Sequence, residues 1–171
     1  FTPMQVYNIL QDSETRAKFE AIDKVIIGGG AISVTMARQL REMKNEIWST
    51  YGMTETLSHI AMRRLSGEGA SDWYEPLKGV KVWSNGEGCL VIEALHVAEE
   101  ILETNDIVEI NADGKFKVLG RKDNVVCSGG VKMQIEKMEE EIAKEYGGEF
   151  ALSWVADEKL GQALVLAYTK Q

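Results

Sequence analysis

The sequence predicts an α/β fold: a strand–helix layer plus a small antiparallel sheet or partial barrel, followed by a small α+β C-terminal domain. Three observations predict it. The β-branched run Val25-Ile26-Ile27 ends in Gly28-Gly29-Gly30 and precedes a stretch that keeps Met36, Leu40 and Met43 on one helical face. Ser84-Asn85-Gly86 and Asn111-Ala112-Asp113-Gly114 each divide two short apolar runs, as hairpin turns do. A last helical stripe, Ile135, Met138, Ile142 and Tyr146, is followed by two more strand-like runs.

Each element has a local cause. Val6, Ile9 and Leu10 share one face of a first helix. Residues 25–27 form a buried strand feeding a tight glycine loop. Ser33 can cap a helix running to about Lys44. Glu46 to Thr50 is a second strand that delivers Tyr51 onto a loop, where its ring can lie exposed. In a strand–helix–strand layer, ligands sit beyond the carboxyl ends of the strands, where the glycine run and Tyr51-Gly52 both fall. Further strands are expected over 79–83, 89–93, 107–110 and 115–119. A helix over Gln134 to Tyr146 is stopped by Gly147-Gly148, and strands follow over 150–155 and 163–168. The expected organisation is 1–120 as the C-terminal part of a large domain, 121–124 as a hinge, and 125–171 as an incomplete small domain.

The chain has 171 residues and a net charge of −8, with 44% hydrophobic and 27% charged residues. These are ordinary globular values. Nucleic acid and an anionic membrane surface are poor partners for such a charge, because both are bound through clustered Lys and Arg. No run of 18 apolar residues is present to span a bilayer. Cys89 and Cys127 are too few for a disulfide framework, so a reducing, cytoplasmic setting is expected. Phe1-Thr2-Pro3 lacks an initiator Met and a basic leader, so the chain is expected to begin mid-sequence, as an excised fragment.

Short blocks recur in a fixed order: Tyr51-Gly52-Met53-Thr54-Glu55, Thr104-Asn105-Asp106, Gly120-Arg121-Lys122-Asp123 and Ser128-Gly129-Gly130. They supply an aromatic face, a hydroxyl, two acids and a cation, the groups needed to hold a nucleotide, its phosphate and a divalent metal. A ring such as Tyr51 can stack on a purine. Thr54 offers a hydroxyl to phosphate, and Glu55 a hard oxygen to Mg2+, which takes few carboxylates plus substrate phosphates. Asp106 can accept ribose hydroxyls, and Arg121 can fork to phosphate or ribose oxygens. Alone, each has a plainer reading: a half-buried aromatic, a solvated acid, a turn acid, a surface ion pair. Order and spacing together favour the site. The Gly28–Ser33 stretch does not make a dinucleotide fingerprint, since Ser33 stands where Gly or Ala belongs and no acid ends the next strand near residue 48.

These blocks resemble those of the adenylate-forming superfamily: acyl- and aryl-CoA synthetases, luciferases and peptide-synthetase adenylation domains. Gly28, Gly29 and Gly30 resemble its glycine loop, Tyr51 to Glu55 its adenine and metal motif, Thr104-Asn105-Asp106 its Thr-Gly-Asp, and Gly120 to Gly130 its hinge and the following loop. Within the superfamily, residues 51–61 with Asn105-Asp106-Ile107-Val108 look most like the o-succinylbenzoate–CoA ligases of menaquinone biosynthesis. The resemblance implies ATP and AMP, Mg2+ and coenzyme A as ligands, and a carboxylic acid such as o-succinylbenzoate as substrate. It implies catalytic roles for Thr54 and Glu55, with Glu55 on the metal. It implies nucleotide contacts from Gly28, Gly29, Gly30, Tyr51, Gly52, Met53, Asp106 and Arg121. Asp123 would be the hinge, and Ser128, Gly129 and Gly130 would border the pantetheine channel. Ser58 and His59 would face the acid. The oligomeric state, homodimer included, stays open.

Departures carry information. Asn105 replaces the usual Gly and is expected to keep a left-handed turn. Ala31 stands where Pro is common, and Lys132 has no assignable role. The family's phosphate-binding loop and catalytic lysine have no counterpart here, and neither Lys159 nor Lys170 is promoted to the latter. The isolated chain is therefore expected to be inactive. Three other readings share these residues: another acyl- or aryl-CoA synthetase, a carrier-loading adenylation domain, and a non-catalytic nucleotide-binding module.

Overall fold

A computed structural model describes residues 1–169; Lys170, which the sequence reading leaves without a catalytic role, lies outside them. In chain order the first elements are α1 (Pro3–Gln11), α2 (Ser13–Glu20), β1 (Lys24–Ile27), α3 (Val34–Arg41) and β2 (Glu46–Gly52). Six strands follow: β3 (His59–Arg64), β4 (Glu75–Pro76), β5 (Lys81–Ser84), β6 (Cys89–Glu93), β7 (Leu102–Ile110) and β8 (Phe116–Arg121). The last are β9 (Val125–Ser128), β10 (Val131–Gln134), α4 (Ile135–Glu145), β11 (Phe150–Asp157) and β12 (Gly161–Tyr168). The sheets are ordered β1-β2-β3-β4, β5-β6-β7-β8 and β10-β9-β12-β11. Two compact units result. One holds Phe1–Trp83, Val91–Glu103 and Ile110–Lys117; the other holds Ser84–Leu90, Thr104–Glu109 and the chain from Val118 onward.

In the first unit, β1 and β2 pair in parallel, with Ile27 opposite Ser49, and α3 crosses between them. This is the α/β layer the sequence predicts. Val25, Ile27, Met36, Leu40 and Ile47 meet Val6 and Phe19 in one core. Thr2 caps α1, and Asp12 caps α2 by accepting from the Thr15 amide at 2.9 Å. Ser33 caps α3 as expected. The helix ends at Arg41 rather than near Lys44. Met43 is drawn into the core, and Asn45 donates to the carbonyls of Phe19 and Ile22, which turns the chain into β2. The periodicity reading missed α2, which is mostly polar and buries only Phe19. It also missed β3.

Both predicted hairpin turns form, each around an Asn whose side chain organises the backbone. Asn85 Oδ1 accepts from the amides of Glu87 and Cys89, and Asn111 Oδ1 from those of Asp113 and Lys115. In the second unit, Val126, Ile135 and Leu152 form the core, with Met138 and Ile142 of α4 packed on it. β11 and β12 pair antiparallel from Phe150–Tyr168 to Asp157–Gly161. The glycines do not end α4. Tyr146 leaves the helix in extended conformation, its ring edge-on to Phe150 and Tyr168. The hairpin β9–β10 was also missed, although Gly129-Gly130 signals it. Their φ values are 57° and 87°, the left-handed pair that a two-residue turn between twisted strands requires.

Gly52 is the tightest point of the first sheet. A Cβ there would lie 2.5 Å from the Ser58 carbonyl oxygen and 2.8 Å from the His59 Cα, both backbone atoms. Gly52→Ala is expected to destabilise the chain by roughly 1–3 kcal/mol, as overpacking does. Gly86→Ala meets nothing within 4 Å and should shift stability by less than about 0.5 kcal/mol. Urea unfolding of the two variants checks this contrast.

Candidate functional site

Because β1 and β2 run parallel, the glycine run and the Tyr51–Glu55 block leave the same edge of the sheet. Gly28 abuts Thr50, the residue before that block: a Cβ on Gly28 would stand 2.5 Å from Thr50 Oγ1. The glycine run and the Tyr51–Glu55 block thus both follow strand ends within the first unit. Tyr51, however, is not on a loop. It is the penultimate residue of β2, half-buried, because β3 returns antiparallel beside it with Ala61 as its partner. Its ring meets Phe116 edge-on at 5.1 Å and Tyr74 at 5.7 Å, while Tyr74 and Phe116 stack at 5.5 Å. Tyr74 is anchored in turn by a 3.0 Å hydrogen bond with Ser49 Oγ and by the Arg63 guanidinium, 4.8 Å from its ring centre. The Tyr51 ring is therefore held by its aromatic neighbours.

The chain turns sharply after Gly52. Met53 is half-buried, and Thr54 and Glu55 stand exposed on a single 3-10 turn. Thr56, fully buried, ties that turn together. Its Oγ1 accepts from the Met53 amide at 3.0 Å and lies 2.9 Å from the Met53 carbonyl and 2.7 Å from the Ser58 carbonyl. Leu57 then takes φ 59°, the one non-glycine residue with positive φ among those described. Ser58 Oγ and His59 Nδ1 lie 3.2 Å apart, both exposed, beside Gly52. Ser58 thus closes the bend that follows the Thr54–Thr56 turn, and His59 opens β3 opposite Gly52. Among the described residues no three His, Cys, Asp or Glu side chains converge on a metal site. Glu55 is a single carboxylate, which suits an ion whose other ligands are phosphate oxygens and water.

The second unit carries the remaining blocks. Thr104 Oγ1 donates to the Leu90 carbonyl and accepts from the Asp106 amide at 3.1 Å, so it fixes the backbone that presents Asp106. Asn105 does not form a left-handed turn; it lies in the extended strand β7, where its neighbours' ladder holds it. Arg121 forks onto Asp123, with Nε 2.8 Å from Oδ1 and Nη2 2.7 Å from Oδ2. These hydrogen bonds hold the Asp123 carboxyl below the usual aspartate range. Lys122 pairs with Glu87 at 2.6 Å, and that hydrogen bond raises the Lys122 ammonium above its ordinary value. Ser128 ends β9, and Gly129 donates to the Leu160 carbonyl at 2.9 Å. The double glycine thus has a local cause, the hairpin, independent of any ligand.

The residues the sequence reading passed over are supports. Thr56 could have been noticed, since a Thr three residues beyond Met53 can close a turn onto its amide. Tyr74 and Phe116 could not, because they reach Tyr51 through long-range pairing. Cys89 is buried and Cys127 exposed, both as free thiols. No helix among the described residues is long and apolar enough to cross a membrane.

No protein-family model matches the chain. It is 28% identical over 157 residues to a 2-succinylbenzoate–CoA ligase of Escherichia coli strain K12, covering 82% of this chain and 33% of that protein. The acyl-CoA synthetase (AMP-forming)/AMP-acid ligase II-like protein from Dyadobacter fermentans superposes with a TM-score of 0.65 and 37% identity, over 98% of this chain and 49% of that one. E. coli MenE, solved with a bound analogue of OSB-AMS, superposes with a TM-score of 0.73 and 25% identity, over 100% of this chain and 41% of that one. The chain spans about a third of the length of the curated relatives it matches. Its relatives and structural neighbours are AMP-forming acyl-CoA synthetases, with 2-succinylbenzoate–CoA ligases among them.

Two measurements follow from the geometry. Thr56→Val leaves the Met53 amide and the Ser58 carbonyl without their partner, and should cost about 1–3 kcal/mol in urea unfolding; Thr56→Ser should recover most of it. An NMR pH titration should place Asp123 below ordinary aspartates, and Arg121→Ala should move it upward. Asp123 ionises more readily folded than unfolded, so this pair's stabilisation is present above the unfolded-state pKa and lost as pH falls through the folded one. The stability gap between wild type and Arg121→Ala should therefore close in acid.

Proposed function

We propose that this chain is the nucleotide-handling part of an AMP-forming acid–CoA ligase. The observation that carries the reading is the shared edge of β1 and β2, where Gly28 abuts Thr50 and the Thr56-pinned turn presents Thr54 and Glu55 beside an oriented Tyr51. The similarity to AMP-forming synthetases supports it.

In this reading Tyr51 stacks on adenine, with Gly28, Gly29 and Gly30 leaving the nucleotide room against the backbone. Asp106 accepts the ribose hydroxyls, and Arg121 donates to ribose or phosphate. Thr54 hydrogen-bonds the α-phosphate. Glu55 would hold Mg2+, which would neutralise phosphate charge when bound. A carboxylate oxygen of the acid attacks the α-phosphorus, and the bond to pyrophosphate breaks. The CoA sulfur then attacks the acyl carbon, and AMP leaves with the electron pair of the mixed anhydride. Asp123, in a hinge at 121–124 between segments 1–120 and 125–171, turns the second segment between these half-reactions. Ser128, Gly129 and Gly130 border the pantetheine path.

The acid we propose is o-succinylbenzoate or a similar aryl dicarboxylate, with Ser58 and His59 as polar partners. The supports are the 2-succinylbenzoate–CoA ligases among the relatives and the placement of both residues beside Gly52, just after the Thr54–Thr56 turn. A cytoplasmic setting fits two free thiols.

The test uses the full-length protein that contains this chain. Acid-dependent pyrophosphate release should appear with o-succinylbenzoate in a panel of aryl and alkyl acids. No release with any acid would sink the reading. Asp106→Ala should raise the KM for ATP roughly tenfold to a hundredfold, matching the loss of about 1.5–3 kcal/mol of charged hydrogen bonding, with the KM for acid nearly unchanged. An unaltered ATP response would remove Asp106 from the ribose.

A further inference from the structure

We propose that Glu136 is a positioning residue whose carboxylate clamps the Gly120–Asn124 segment to the first turn of α4, so that any turn of the chain about Asp123 must break it. The inference rests on the reading of Asp123 as a hinge and adds the part that holds the hinge at rest.

Glu136 accepts three hydrogen bonds. Oε1 receives the Arg121 amide at 3.3 Å and Asn124 Nδ2 at 2.8 Å, and Oε2 receives Gln134 Nε2 at 2.6 Å. Gln134 donates from the same nitrogen to the Arg121 carbonyl at 2.9 Å. Both backbone polar groups of Arg121 are thus held from α4 and the residue preceding it. Gly120 makes the approach possible. It takes φ 149°, and a Cβ there would lie 2.5 Å from Gln134 Nε2 and 2.6 Å from Glu136 Oε2. Two neighbouring side chains therefore converge on the stretch from Gly120 to Asn124.

A plainer role for Glu136 is that of a first-turn acid answering the helix dipole. That role needs no partner outside α4, and it explains neither the bonds to Arg121 and Asn124 nor the closeness at Gly120. Gln134 stands at the helix N-cap yet makes no side-chain cap bond. It bonds Arg121 and Glu136 instead. The carboxylate is also specifically suited. Every partner is a donor, and a carboxylate accepts at both oxygens, whereas an amide turns one of them into a donor.

Amide hydrogen exchange by NMR on this chain tests the clamp. Glu136→Gln preserves shape but sets N–H against N–H at one arm. The Arg121 amide should then exchange roughly tenfold faster or more, while Met138–Glu145 and the β11–β12 pairs stay within about twofold. An unchanged Arg121 rate, or uniform acceleration through α4, β11 and β12, would overturn the proposal. Should Glu136→Gln fail to fold, Gln134→Ala removes one arm without stranding a charge. It should speed Arg121 exchange by roughly threefold or more, and no change there would overturn the proposal equally. The ligase reading is judged separately. Faster exchange without acid-dependent pyrophosphate release would keep the clamp and remove the hinge's catalytic meaning. Release with unmoved exchange would keep the ligase and remove the clamp.

Discussion

The parallel pairing of Lys24–Ile27 with Glu46–Ser49 is the constraint on which the candidate site depends. Parallel strands end on the same side, so two loops more than twenty residues apart in sequence are released next to each other. Gly28, the first residue of the glycine run, has no room for a side chain against Thr50 of β2. The pairing is secured from below by a core in which Val25, Ile27 and Ile47 meet α1, α2 and α3. Parallel strands need covering helices, and α3 is the crossover that makes the pair possible. A one-residue slip would turn Ile27 outward and separate the loops.

From that edge outward, rigidity comes from small numbers of polar and aromatic contacts. Thr56 closes the turn after Gly52 with one buried hydroxyl, and Leu57 absorbs the sharp reversal in a left-handed conformation that costs a residue with a Cβ more than it costs glycine. Tyr51 is held by Tyr74 and Phe116, and Tyr74 by Ser49 and Arg63. The exposed groups, Thr54 and Glu55, make none of these bonds. They are carried by residues that do. The second unit repeats the arrangement: Thr104 fixes the backbone under Asp106, and Glu136 with Gln134 holds the backbone of Arg121.

Much of this was legible beforehand. Val25-Ile26-Ile27 before three glycines, Ser33 ahead of an amphipathic stretch, and Asn-centred turns at 85 and 111 are local signals, and each formed where expected. Errors fell where local signals are weak or contested. α2 is a mostly polar helix with a single buried residue, so no apolar stripe announces it. Tyr51-Gly52 reads as a bend, yet β3 pairs with it and extends the strand. Asn105 tolerates a left-handed turn, but the ladder of β7 keeps it extended. Gly147-Gly148 reads as a helix stop, but α4 ends one residue earlier, where Tyr146 packs on Phe150 and Tyr168.

The sequence by itself determined the α/β class, the strand ends that bear the candidate residues, and the order of the aromatic, hydroxyl, acidic and cationic groups. These depend on periodicity, turn residues and spacing, all of which act over a few residues. Tertiary structure alone decided which groups are bound and which are presented. Phe116 beside Tyr51 and Glu136 beneath Arg121 are pairings across 65 and 15 residues, and a contact between distant segments exists only after the chain has closed the loops between them.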